Sequence, residues 1–151
     1  MKSIAALALA LSLATPAFAQ APLEAGAMVD SFEMVPDRTV IFAPQADGKL
    51  RIIKVTDKDR LAPMPRNPGE VAIAMTYALE IGAVIEFNSG LDYAFTYAAR
   101  ATGSGDAVSL PTCPVRGDAV AQDQWPQGFK SIVIGPLTRL DGPVVCEHPA
   151  N

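Results

Sequence analysis

The sequence contains a single histidine, His148, three residues from the C-terminus. A Ser-His-Asp or Cys-His triad would have to use this residue as its base, and chain termini are commonly mobile. The sequence also lacks a G-x-S-x-G nucleophile elbow, a phosphate-binding glycine loop and an H-E-x-x-H zinc motif. These absences favour a protein without catalytic activity, and we expect no cofactor.

Positive charge is scarce, and no long apolar run follows the N-terminal one. The chain has 12 lysines and arginines against 16 acidic residues, which gives a net charge of −4 at pH 7. An acidic chain is a poor candidate for nucleic-acid binding, which depends on cations that neutralise phosphates. Beyond the N-terminal segment no stretch is long and apolar enough for a membrane-spanning helix. We therefore expect neither nucleic-acid binding nor a membrane span.

The N-terminal segment has the organisation of a secretory signal peptide. Lys2 precedes the apolar residues 4–13, and the Ala-Phe-Ala tripeptide at 17–19 places small residues at both recognition positions. The apolar run has about half the length that a bilayer-spanning helix requires, so a permanent anchor is the weaker interpretation. We expect cleavage after Ala19, a periplasmic or secreted location, and a single mature domain over residues 20–151.

The two cysteines, Cys113 and Cys146, lie 33 positions apart. Export brings a chain into an oxidising compartment, and because no third thiol is left over, the two are expected to form one disulfide. Redox catalysis usually requires a C-x-x-C spacing, and His148 alone does not complete a zinc or copper site with them. We therefore expect a structural disulfide and no metal site.

An Arg-Gly-Asp tripeptide follows at residues 116–118. On a tight loop it could present its two charges to an adhesion receptor. A glycine between charged residues just after Pro114 is also ordinary turn chemistry, and short tripeptides often recur by chance. The turn is the simpler interpretation.

A long alternation of residue types, from Val71 to Phe87, predicts β-structure. The odd positions are mostly large and apolar, whereas the even ones are mostly alanine, threonine or glutamate. A helix through 71–80 is the rival interpretation because alanine, methionine and leucine favour it, but the alternation continues into β-branched and aromatic residues. The run is longer than a normal strand, so we expect a break or bulge near Gly82.

Turn signals between alternating segments predict two β-hairpins. Residues 39–43 and 50–56 flank a loop with Asp47-Gly48, and the turn Asn88-Ser89-Gly90 precedes a second alternating segment at 91–97. Further strands are expected at 28–35, 108–110, 130–134 and 144–146. In the first of these Met28, Phe32 and Met34 fall on one side, and in the segment 91–97 the aromatic residues Tyr93, Phe95 and Tyr97 are expected to face inward. With 13 prolines, these short strands predict an all-β protein built as one antiparallel β-sandwich.

Two segments are predicted to be loops, residues 57–70 with three prolines and residues 101–129. The second is too long to remain structureless in a compact domain without a restraint. The disulfide at Cys113 would supply that restraint.

Three segments resemble small exported bacterial proteins of uncharacterised function with an immunoglobulin-like sandwich. The segments are FNSGLDYAFTYAAR at 87–100, TCPV at 112–115 and QWPQGFKSIVI at 124–134. In that group a Cys-Pro-Val and a Trp-Pro precede a late strand. The resemblance covers about the C-terminal half of the chain. It implies a fold and a disulfide, and it supplies no active residue.

Cations concentrate between Lys49 and Arg66, where six positive side chains accompany only two aspartates. Such asymmetry can mark a surface for an anionic partner, for example lipid head groups or an acidic protein. The simpler interpretation is an edge strand protected by lysine and arginine that continues into a solvated loop. The six cations are Lys49, Arg51, Lys54, Lys58, Arg60 and Arg66.

Two functional hypotheses remain. Trp125, the single tryptophan, is either an exposed aromatic anchor for a partner or a side chain that fills the core beside the disulfide loop. Glu80 and Glu86 could in principle serve glycoside hydrolysis, but both fall on the polar side of their strand, where solvated charges are usual. The first hypothesis is a non-catalytic periplasmic or secreted β-sandwich that binds a protein or a cell-envelope component. The alternative is a small exported hydrolase that uses carboxylates.

Overall fold

The computed structural model describes residues 22–57, 65–102 and 107–146. All secondary-structure elements in those ranges are β-strands, which confirms the all-β class. The ten strands are β1 (Met28–Val29), β2 (Phe32–Met34), β3 (Arg38–Pro44), β4 (Leu50–Asp57), β5 (Val71–Ala78), β6 (Gly82–Ser89), β7 (Ala94–Thr102), β8 (Val108–Leu110), β9 (Val120–Trp125) and β10 (Ser131–Leu140).

The strands form two antiparallel sheets that pack against each other in a sandwich-like arrangement. The larger sheet has the order β1-β4-β3-β5-β6-β9, and the smaller has the order β2-β10-β7-β8. Aromatic rings join the sheets across the core. The ring centroids of Phe32 and Phe42 are 5.3 Å apart, and those of Phe87 and Tyr97 are 4.7 Å apart.

The core takes one side chain in two from most strands, as the alternation in the sequence predicts. Each fully buried side chain of this size contributes about 1.5–3 kcal/mol relative to exposure. The largest buried side chains are Phe32, Phe42, Phe87, Phe95, Met34, Leu50, Ile52, Ile73, Met75, Ile85, Ile132 and Ile134. This shared core holds the two sheets together.

The long alternating run is interrupted between Ala78 and Gly82, which confirms the break expected near Gly82. Ala78 pairs with Gly82, so β5 and β6 form a tight hairpin. Gly82 has φ of +90°, and a Cβ there would lie 2.1 Å from the carbonyl oxygen of Trp125. Leu79 and Ile81 belong to the large apolar positions of the run but do not face the core, because both lie in the turn, where Leu79 is 91% exposed.

One predicted hairpin is confirmed and the other is wrong. β3 and β4 pair around Asp47-Gly48 as expected. β6 and β7 do not pair, because β6 belongs to the larger sheet and β7 to the smaller one. Burial of Leu91 accompanies this crossing between the sheets. Phe95 and Tyr97 are buried as predicted, whereas Tyr93 is half-buried and its ring lies 4.6 Å from the guanidinium carbon of Arg139.

Three other strand predictions need correction. The predicted loop 101–129 contains β8, as expected, but also β9, which the sequence did not indicate. No strand forms at 144–146, where the chain is attached through Cys146 instead of through a ladder. The segment 28–35 divides between the two sheets, because β1 pairs with β4 and β2 pairs with β10.

Several predictions lie outside the described residues. These are the signal peptide with its cleavage site, the cations Lys58 and Arg60, and His148. Within the described ranges, no helix has the length and apolar character needed to cross a membrane.

Candidate binding groove at the sheet edges

Two sheet edges lie side by side on one side of the molecule. β9 is the last strand of the larger sheet, and β8 is the last strand of the smaller one. After β8 the chain continues along β7, because Phe95 and Val115 exchange backbone hydrogen bonds of 2.9 and 2.8 Å. The hydroxyl of Thr112 also donates to the carbonyl oxygen of Tyr97 at 2.9 Å. Segment 108–115, at the edge of the smaller sheet, and β9, at the edge of the larger one, therefore border the opening between the two sheets.

A groove of about 550 Å³ lies between these two borders. This volume falls within the range of about 300–1,000 Å³ that is usual for ligand sites. Its lining is mainly apolar, with a few neutral polar groups and one carboxylate. The lining residues are Val108, Ser109, Leu110, Pro111, Asp123, Gln124, Trp125, Pro126, Gln127 and Phe129.

The carboxylate of Asp123 points into the molecule and is only 8% exposed. Its Oδ2 accepts a short hydrogen bond from the hydroxyl of Tyr97 and one of 3.0 Å from the backbone N–H of Cys113. Burial, together with the negative charge of Asp123 and this hydrogen bond, raises the pKa of Tyr97 far above its ordinary value of 10.0. Tyr97 therefore stays protonated and acts as a donor. Asp123 connects β9 to both β7 and the disulfide segment.

Asp123 is a site residue that sequence reasoning missed. An available signal was the segment Ala121-Gln122-Asp123-Gln124-Trp125, where an acidic residue shares its side of the strand with an alanine and a tryptophan. A charged side chain on the core-facing side of a strand usually has hydrogen-bond partners within the protein. No pattern in the sequence names those partners, because Tyr97 and Cys113 belong to other elements.

Trp125 fills the core and is only 3% exposed. Its indole Nε1 donates to the carbonyl oxygen of Pro111 at 2.9 Å. The structure therefore places Trp125 as a core side chain that also forms part of the groove wall. It does not stand exposed as an aromatic anchor, so its assignment to a binding surface is corrected to this wall position.

The predicted disulfide is confirmed. Cys113 and Cys146 are bonded, and their Cα atoms are 4.8 Å apart. The bond attaches the end of the described chain to the segment that borders the groove. No free cysteine occurs among the described residues.

Most exposed apolar side chains of the described ranges lie on or beside the two borders of the groove, although only Val108 lines it. Val108 lies on β8, Val120 begins β9, and Val145 is the neighbour of Cys146. Leu79 and Ile81 occupy the β5–β6 turn, which contacts β9 through a bond of 3.2 Å from the amide of Gln124 to the Ile81 carbonyl oxygen. Of the large hydrophobic residues that are exposed in the described ranges, only Met28 lies elsewhere, on β1 at the opposite edge. We call the groove and the five residues Leu79, Ile81, Val108, Val120 and Val145 the edge surface.

The described part of the basic segment lies away from the groove, largely on β4. Arg51 pairs with Ala43 and Lys54 pairs with Ile41, with a register shift between these pairs. Beyond Ile52, β4 has β3 as its only strand partner in the described ranges. Lys54 is exposed on this part of the strand, a position that fits edge protection. Lys49 is exposed in the loop before β4.

Arg66 stands apart from the other described cations. Its Nε donates to the side-chain oxygen of Asn88 at 2.7 Å, and its Nη1 lies 3.4 Å from a carboxylate oxygen of Asp118. Arg66 thus joins the segment before β5 to the turn before β9. The described cations therefore do not form one continuous patch.

The Arg-Gly-Asp tripeptide forms a turn. The N–H of Asp118 donates to the carbonyl oxygen of Leu91 at 2.8 Å, and Asp118 has φ of +48°. A Cβ on Gly117 would lie 2.8 Å from that same carbonyl oxygen, so glycine allows the close approach. This geometry corresponds to the turn interpretation.

Glu80 and Glu86 do not form a carboxylate pair. Glu80 lies in the β5–β6 turn, whereas Glu86 is on β6 and pairs with Ala74. Glu86 lies four positions after Gly82, which corresponds to about 13 Å along β6. Glycosidase carboxylates lie about 5–9.5 Å apart. The described residues also contain no group of three or more potential ligands that could hold a metal ion.

Comparisons with known proteins identify no family for this chain. No protein-family model, curated protein or solved structure matches it. Function therefore has to be inferred from the site itself.

Proposed function

We propose that this chain is a periplasmic or secreted, non-catalytic protein with an immunoglobulin-like sandwich, and that its edge surface binds another protein. The observation that carries the proposal is the position of the exposed apolar side chains. Val108 lines the groove, and four of the other five exposed large hydrophobic residues of the described ranges lie on or beside the elements that border it. An exposed apolar cluster with a polar surround is a common mark of an interaction site.

The energetics favour binding at this surface. Apolar area costs about 25 cal/mol per Å² while it remains in water. Leu79 is 91% exposed and Val108 58% exposed, so a partner that covers both gains this free energy on binding. Apart from the buried Asp123, the polar side chains of the groove, Gln124 and Gln127 among them, are neutral and can orient a partner at a small desolvation cost.

Two observations support the exported sandwich. The N-terminal segment has the pattern of a signal peptide, and the protein contains a disulfide, a bond that is common in exported proteins and rare in reducing compartments. Two antiparallel sheets with a shared core agree with the resemblance to small immunoglobulin-like proteins. The hydrolase alternative loses its candidate pair, because Glu80 lies in the β5–β6 turn and Glu86 lies farther along β6.

Site-specific photo-crosslinking tests the proposal. A photoreactive side chain replaces Val108 in one variant and Met28 in a matched control, since both are exposed apolar residues on edge strands of opposite sides. The full-length gene is expressed, and the envelope-soluble fraction is illuminated. Mass spectrometry of this fraction should find a chain that begins at Gln20 and a discrete protein adduct at position 108 but not at 28.

Equal labelling at both positions, or no adduct at position 108, would contradict the proposed binding surface. A chain that retains Met1 in the cytoplasm would contradict export. The two outcomes are read from separate mass measurements, so each part of the proposal can fail alone.

A further inference from the structure

Among the four strands that end the two sheets of the described ranges, β9 is the longest. It has six residues, whereas the other edges, β1, β2 and β8, have two, three and three. It pairs with β6 on one side and, within the described ranges, has no strand on the other. An edge strand presents a row of backbone N–H and C=O groups that can pair with another extended chain.

β9 also lacks the features that normally protect an edge. Proteins place charges, prolines or bulges there to prevent pairing. The exposed side chains of β9, Val120, Gln122 and Gln124, are all neutral. Its single charge, on Asp123, points inward and accepts bonds from Tyr97 and Cys113. By contrast, Lys54 occupies the exposed part of β4 near the opposite border of the same sheet.

We propose that the edge surface binds an extended segment of another protein as an added strand along β9, with apolar side chains at alternate positions in the groove and acidic residues at its ends. The inference rests on the proposed function, whose partner it specifies. Alternate side chains of a strand point to opposite faces. Every second side chain of the added strand would therefore face Leu110, Pro111 and Trp125 in the groove.

The groove favours a segment of another protein over a second copy of this chain. If two copies paired through β9, the side chains available to enter the groove would be those on the inward side of β9. Asp123 and Trp125 are already buried in their own core, and Ala121 is packed against it. Self-pairing would leave the groove empty, whereas a separate segment fills it.

Two cations near the groove favour acidic residues in the segment that would bind along β9. Arg100 lies directly opposite Ser109 in the β7–β8 ladder, and Lys130 follows Phe129. Ser109 and Phe129 both line the groove. Both cations are exposed, and neither forms an ion pair within the described residues. Acidic residues at the ends of the segment would complement these two nearby cations, and such attraction weakens as salt increases.

Three synthetic peptides test the inference on the mature, oxidised protein. The first is a capped octapeptide with the order Asp-Val-Thr-Val-Thr-Val-Thr-Asp. The second has the same composition with its valines adjacent, and the third has lysine in place of both aspartates. Trp125, the only tryptophan, lines the groove, so its fluorescence reports binding. The first peptide should bind at least about tenfold more tightly than either control, a difference of about 1.4 kcal/mol.

Hydrogen exchange and a matched pair of variants locate the peptide. Binding should slow amide exchange in residues 120–125 and leave Met28 and Val29 unchanged. Val108→Glu places a charge at the groove and should weaken binding about tenfold. Met28→Glu, at a similarly exposed position on the opposite edge, should have no effect. Unfolding midpoints of both variants verify that they fold.

Several results would overturn strand addition. These are equal affinity for the first and second peptides, binding without protection of residues 120–125, no binding of any peptide, or an adduct at position 108 that is a second copy of this chain. A heterologous adduct at position 108 together with any of the first three would leave the proposed function intact and refute only the added strand. Absence of the adduct would refute the proposed function itself.

Discussion

The indole Nε1 of Trp125 lies 2.9 Å from the carbonyl oxygen of Pro111 and donates a hydrogen bond to it. This bond joins the end of β9, in the larger sheet, to the chain that follows β8 in the smaller sheet. In a second connection the backbone N–H of Cys113, two residues after Pro111, donates to the carboxylate of Asp123, two residues before Trp125. The two bonds hold the borders of the groove at a fixed separation, which is the condition for a preformed binding site.

Loss of the disulfide should destabilise the protein without a change of fold. Cys113→Ser removes the bond that attaches residue 146 to the groove border, and the usual loss for a small exported domain is about 2–5 kcal/mol. Urea unfolding measures this difference. The double variant Cys113→Ser/Cys146→Ser should lose the same amount, because one bond accounts for both changes. Two accessible thiols in natively purified wild-type protein would show that the disulfide is absent in solution.

The hydrogen bond between Tyr97 and Asp123 should contribute to stability. Tyr97→Phe removes the donor and leaves the buried carboxylate with the Cys113 N–H alone. The expected loss is about 1.5–3 kcal/mol, the range for bonds to charged groups. Tyr93→Phe is the control, since Tyr93 is only half-buried, and its change should stay below about 0.5 kcal/mol. Equal effects of the two substitutions would contradict a specific role for Tyr97.

The same tyrosine should make the protein sensitive to alkali. Because the folded state raises the pKa of Tyr97 above 10.0, both states hold the proton at lower pH, and the stabilisation is complete there. Above pH 10 the unfolded chain releases this proton and the folded one does not. The free energy of unfolding should therefore fall by about 1.4 kcal/mol per pH unit from this group. Unfolding curves at pH 9 to 11 should show a smaller slope in Tyr97→Phe, and an unchanged slope would exclude Tyr97 as the cause.

Gly82 should tolerate no side chain. Gly82→Ala combines a positive φ with a Cβ 2.1 Å from the carbonyl oxygen of Trp125. Gly48→Ala is the matched control, with φ of +83° and nothing within 4 Å of the added Cβ. The control should lose about 1–2 kcal/mol from backbone conformation alone, and Gly82→Ala should lose more. Similar losses in thermal unfolding would mean that the β5–β6 turn moves away from β9 at little cost.

The two predicted hairpins show which part of the fold can be predicted from the sequence. The β3–β4 pair is local, and the turn residues Asp47-Gly48 identify it. The turn at Asn88-Ser89-Gly90 has similar chemistry, yet it is followed by a crossing to the other sheet. Alternation reports which side of a strand is buried, but a buried side chain can face the core from either sheet. Pairing partners therefore depend on the tertiary arrangement.

The candidate site was less accessible to sequence reasoning than the fold. The disulfide was predictable, because the sequence contains only two cysteines and each has one possible partner. Trp125 was identified, but its exposure depended on whether residues 101–129 form a loop or include a strand. Leu79 and Ile81 belong to the alternating run, and only the position of the turn places them at the surface.

The sequence by itself determined the residue types that each strand buries, the local β3–β4 turn and the single possible cysteine pair. These depend on side-chain hydrophobicity and on backbone preferences over a few residues. Only the tertiary structure decided that β9 ends one sheet while β8 ends the other, and that Asp123 and Trp125 join them. The reason is physical, because a strand acquires an edge, a groove or a buried hydrogen-bond partner only from elements that are distant in the chain and adjacent in space.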